Sequence, residues 1–65
     1  MKRWVNRKNR AEEVAEVDNF LEAIVEVCKR HKLTLSQEDT GGYFQVEGMS
    51  NANIEWLRHA EDNRR

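Results

Sequence analysis

The chain has 65 residues, enough for one small domain. With 38% hydrophobic and 35% charged residues, three Gly, no Pro and one Cys, it excludes a collagenous, Pro-rich or disulfide-framed chain. No apolar run reaches the roughly 18 residues of a membrane span, and the basic start Met1–Arg7 lacks the apolar stretch of a signal peptide, so a cytoplasmic protein without membrane contact is expected.

The net charge of −1 hides an asymmetry. Residues 1–10 carry Lys2, Arg3, Arg7, Lys8 and Arg10 and no acid, whereas residues 11–65 carry six bases and twelve acids. A basic N-terminal arm of this kind can grip a phosphate backbone or dock on an acidic neighbour. It is read as an arm or as a backward extension of the helix that follows, reaching Asn6 or even Lys2.

Residues 11–62 read as the domain, with residues 63–65 as a fraying tail that Asp62 begins. Ala11–Lys32 reads as an amphipathic helix. Val14, Val17, Leu21, Ile24 and Cys28 recur at spacings of 3 and 4. A second seam through Trp4, Ala11, Val14, Asp18, Leu21, Val25 and Cys28 overlaps the first and makes the helix apolar over a wide arc, although Asp18 interrupts it and argues against a long coiled coil. Acids at Glu12, Glu13 and Glu16 and bases at Lys29, Arg30 and Lys32 suit the helix dipole. One side of the arc can face the chain's own core and the other a neighbouring subunit, which places Val14, Val17, Leu21 and Val25, with Trp4 as an anchor, at a candidate interface.

Leu33–Gln37 and Tyr43–Glu47 alternate apolar and polar residues around the turn cluster Glu38-Asp39-Thr40-Gly41-Gly42. They read as a β-hairpin with Leu33, Leu35, Phe44 and Val46 facing the helix and glycine supplying positive φ in the turn. Ser50 or Asn51 caps a short helix over 52–62, with Ile54 and Leu57 on its apolar face and Trp56 at the shoulder. The expected fold is α+β, a single α-β-β-α domain. A chain this short has little core of its own, and a lone hairpin is marginal, so a homo-oligomer is expected.

Candidate chemistry is sparse. Cys28 falls on the apolar stripe and reads as a structural thiol. His31 and His59 have no companion at metal spacing, so no metal, cofactor or catalytic residue is assigned and the chain reads as non-enzymatic. The hairpin tip (Ser36, Glu38, Asp39, Gly41, Gly42 and Tyr43) together with Trp56 is a candidate ligand site. Gly41-Gly42 can present N–H groups to an anion, Ser36 offers a hydroxyl, and Tyr43 or Trp56 a stacking face. Carboxylates at Glu38 and Asp39 oppose a phosphate unless cations intervene.

The runs Cys28-Lys29-Arg30-His31-Lys32-Leu33, Leu35-Ser36-Gln37-Glu38-Asp39, Gly42-Tyr43-Phe44-Gln45-Val46-Glu47 and Asn53-Ile54-Glu55-Trp56-Leu57 resemble a family of very small bacteriophage and prophage accessory proteins, over roughly residues 18–60. Lys32 stands where that family has a helix-ending Gly, and Gln37 and Gly41 where it tends to have His. The resemblance implies a stoichiometric binder that counters bacterial defence. The concrete form is an oligomer sequestering a nucleotide-like immune signal at the hairpin-tip residues. The alternatives are a protein–protein inhibitor or adaptor acting on a host defence protein, and a nucleic-acid-associated regulator using Lys2, Arg3, Arg7, Lys8 and Arg10.

Overall fold

A computed structural model of the chain describes residues 1–38 and 41–65. The element order is β1 (Lys2–Val5), a 3-10 turn (Asn6–Lys8), β2 (Arg10–Glu13), α1 (Ala15–His31), β3 (Leu33–Gln37), β4 (Phe44–Gly48) and α2 (Asn51–Arg58). Two helices and two small antiparallel sheets make a mixed α+β fold, ββαββα rather than the expected α-β-β-α.

The difference lies at the N-terminus. Residues 2–13 form neither a loose arm nor a helix extension but a hairpin, with Lys2 opposite Glu13, Arg3 opposite Glu12, Trp4 opposite Ala11 and Val5 opposite Arg10. Asn9 makes the reversal in the left-handed region (φ 52°), which a short amide side chain tolerates better than most. Alternation then turns Arg3 and Val5 inward, both buried, and Lys2 and Trp4 outward. The C-terminal segment is held instead of frayed. The Asp62 N–H donates to the Trp4 carbonyl (2.8 Å), and the Asn6 N–H donates to the Asp62 carbonyl (3.0 Å). Asp62 thus bridges in parallel to Val5 along the outer edge of β1.

α1 starts four residues later than the periodicity suggests, because Ala11 and its neighbours are claimed by β2 and Val14 is the extended N-cap. It ends at Lys32, which adopts φ 58° and ψ 35° while its N–H donates to the Cys28 and Lys29 carbonyls. This is the left-handed C-cap that glycine normally fills. β3 and β4 pair as expected, in a register running from Leu33 opposite Gly48 to Gln37 opposite Phe44. Gly42, at φ 70°, supplies the positive φ. At Gly41 a Cβ would lie 2.5 Å from Glu38 Oε2 and 2.6 Å from the Tyr43 ring, so a larger residue there has to push those two side chains aside. α2 is capped by the Ser50 hydroxyl, which accepts from the Asn53 N–H (3.2 Å).

The core is small. Val25 and Cys28 of α1 pack on Ile54 and Leu57 of α2, with Ile24 and Leu35 against them at its margin. Leu21 is buried as well. Leu21 and Val25, expected at a subunit interface, therefore lie in the chain's own interior, while Val14 and Val17 are half-buried.

Candidate interaction surface

Two polar clusters lock the termini onto the body. The Arg3 guanidinium, 4% exposed, donates through Nη1 to the carbonyls of Arg58 (3.1 Å) and Ala60 (2.8 Å) and through Nη2 to Asp18 Oδ1. Arg3 thereby caps the carbonyl end of α2 with a cation and ties it to α1. The terminal amine of Met1 reaches Glu13 (2.9 Å) and Asp18 (3.2 Å). The second cluster centres on the buried Asp62 carboxylate. It accepts from the Arg64 backbone N–H (3.1 Å), from Arg64 Nε and Nη2 (2.9 Å each) and from Arg7 Nη1 (3.3 Å). Those bonds hold the Asp62 carboxyl well below the usual carboxylate range. Arg3 likewise lowers the Asp18 carboxyl, and Lys8 and Arg10 lower that of Glu12.

These pairs change the meaning of the basic N-terminus. Arg3 is buried on Asp18, Arg7 meets Asp62, and Lys8 and Arg10 both meet Glu12 (2.6 and 2.9 Å). Of the five bases considered for nucleic acid, four are thus engaged inside the molecule, with Lys2 left on the outer face of β1. Trp4 is 39% exposed, with its indole N–H on Asn6 Oδ1 (2.7 Å).

The residues considered for a nucleotide are only partly brought together. Trp56 lines an open hollow with Gln37, Phe44, Leu57 and His59, flanked by Glu55 and Glu61. Tyr43, at 71% exposure, does not line it, nor do Ser36, Gly41 and Gly42. Asp39 lies outside the described residues. Carboxylates at the rim make this hollow a poor host for a phosphate.

What the residues do assemble is an apolar face. By register, Leu33, Leu35, Val46 and Phe44 share one side of the β3–β4 hairpin. Only Leu35 reaches the core, and Leu33, Val46 and Phe44 are 46%, 66% and 76% exposed rather than covered by the helix. Beside them α1 offers Ile24 and Val27, the latter also exposed. An open groove of about 220 Å³ runs between the two, walled by Ile24, Val27, Cys28, His31, Leu33, Leu35 and Val46. Phe20, one turn before Ile24 and 63% exposed, extends the stripe. The period-2 and 3.6 patterns identify these residues as apolar-facing. They do not reveal that two helices are too few to cover them. Comparison with protein-family models, with curated proteins and with solved structures finds no match to this chain.

Proposed function

We propose that the chain is a non-enzymatic interaction module, an inhibitor or adaptor that docks on another protein through the apolar groove between α1 and the β3–β4 hairpin. The observation that carries this reading is the groove shared by Val27, Leu33 and Val46, each of them exposed on so small a molecule. Exposed apolar patches rimmed by polar residues mark protein-binding sites, and a groove of about 220 Å³ accepts an anchoring side chain of the partner. The chain's one thiol, Cys28, is 7% exposed in the core, a place for packing and not for nucleophilic attack. The resemblance to small phage accessory proteins favours a bacterial defence protein as the partner.

Affinity capture from a bacterial lysate tests this with two surface variants. Val27→Glu places a charge in the groove, whereas Lys2→Glu alters the far N-terminal hairpin. A protein captured by the wild type and by Lys2→Glu but lost with Val27→Glu supports docking at the groove. Retention by Val27→Glu contradicts it. A thermal shift with cyclic dinucleotides, in place of any captured protein, favours sequestration of a nucleotide signal instead.

A further inference from the structure

We propose that two copies of the chain associate symmetrically by pairing the free edge of β4 with β4 of the second copy, giving one four-stranded antiparallel sheet. The inference rests on the strand's backbone and goes beyond the groove reading.

The Glu38 N–H donates to the Tyr43 carbonyl (2.9 Å), so residues 38 and 43 form a hydrogen-bonded pair of the β3–β4 ladder. Antiparallel ladders alternate. Gln45 and Glu47 therefore turn their backbone groups toward Ser36 and Thr34, and Phe44 and Val46 turn theirs away from β3. These outward N–H and C=O groups form an edge bordered by side chains that are 76% and 66% exposed. The other sheet guards its edges. Asp62 covers β1, and β2 carries Arg10, Glu12 and Glu13, with Arg10 ion-paired to Glu12. Charged edges resist pairing and apolar edges invite it.

The edge fits a copy of itself. With Val46 on the two-fold axis, Phe44 lies opposite the second copy's Gly48, and Gln45 opposite its Glu47. Nothing lies within 4 Å of the place where Gly48 would carry a Cβ. The cross-strand Phe44 ring has that space to cover, the way an aromatic shields a strand glycine. On the opposite side of the sheet an amide meets a carboxylate, so no like charges face each other. A standard interface needs about 800 Å² from each partner, about one-sixth of the 5004 Å² this chain exposes.

Sedimentation equilibrium provides the test. The wild type should reach twice 7.7 kDa as concentration rises. Val46→Lys and Val46→Glu each set like charges against each other at the axis, on a side chain that is exposed within one copy, and each alone should remain at monomer mass. Their equimolar mixture should associate again, because opposite charges then meet. A Val46→Cys chain adds a readout that needs no charged variant to fold. Hydrogen-bonded partners have Cα atoms about 5.5 Å apart, within disulfide reach, so oxidation should cross-link it while the buried Cys28 stays free. A wild type that stays at 7.7 kDa at every concentration overturns the proposal. So does a dimer that persists in Val46→Lys, a mixture that fails to associate, or a Val46→Cys chain that does not cross-link. A monomeric wild type leaves the groove and its capture experiment untouched, so the two readings fail separately.

Discussion

Replacing Lys32 with glycine should stabilise the protein. Lys32 ends α1 at φ 58° and ψ 35°, with its N–H on the Cys28 and Lys29 carbonyls and its side chain exposed. A residue with a Cβ pays roughly 1–2 kcal/mol for that left-handed conformation. Glycine does not, although its freer unfolded chain offsets roughly 0.5–1 kcal/mol of the gain. The net is about 0.5–1 kcal/mol in favour of Lys32→Gly. Unfolding entropy of about 2.1 cal/mol/K per residue, over 65 residues, gives about 0.14 kcal/mol/K. Tm should therefore rise by about 4–7 °C in a thermal melt followed by far-UV circular dichroism. Lys32→Ala keeps the Cβ and should show no such rise. An unchanged or lowered Tm for Lys32→Gly, or an equal rise for Lys32→Ala, would refute the argument that backbone strain at this cap governs the effect.

Other perturbations address the remaining joints. Ser50→Ala removes the hydroxyl that accepts from the Asn53 N–H, and urea denaturation should show a loss of about 1 kcal/mol. Arg3→Ala strips the donors from two α2-end carbonyls and the partner from Asp18, so the urea midpoint should fall by an amount worth about 2–4 kcal/mol, far more than for the exposed Lys2→Ala. Asp62 and Asp18 have carboxyls held below the ordinary value of 3.8, so near and below that pH the unfolded chain binds more protons than the folded one. Stability from these groups is then full above about pH 5 and drains as pH falls further. Urea melts across the acid range should show a shallower loss for Asp62→Asn than for the wild type, and an equal slope would remove Asp62 from the account.

Much of the fold was legible because repeating apolar spacing has a simple physical cause. The 3-4 spacing of Leu21, Val25 and Cys28 marks the buried side of α1, and the alternation around Gly41-Gly42 marks the β3–β4 hairpin. The N-terminal hairpin was hidden because one of its inward positions is Arg3, a charge whose burial depends on Asp18 and on carbonyls 55 and 57 residues away. Asn9 at the reversal was the available local signal, a residue that tolerates the left-handed region. Asp62 looked like a polar tail for a similar reason, since its partners Arg7 and Val5 lie at the other end of the chain. The candidate surface was half legible. Phe44 and Val46 were readable as apolar-facing, but their exposure follows from how little of the hairpin α1 and α2 cover.

Hydrogen exchange at single amides of β4 tests most directly whether this uncovered face and its edge are made to be joined. The Gln45 and Glu47 amides, turned toward β3, should be protected at every concentration. Those of Phe44 and Val46 should exchange freely in dilute solution and become protected as the protein is concentrated. Phe44 and Val46 amides that exchange at the same open rate throughout would contradict the account.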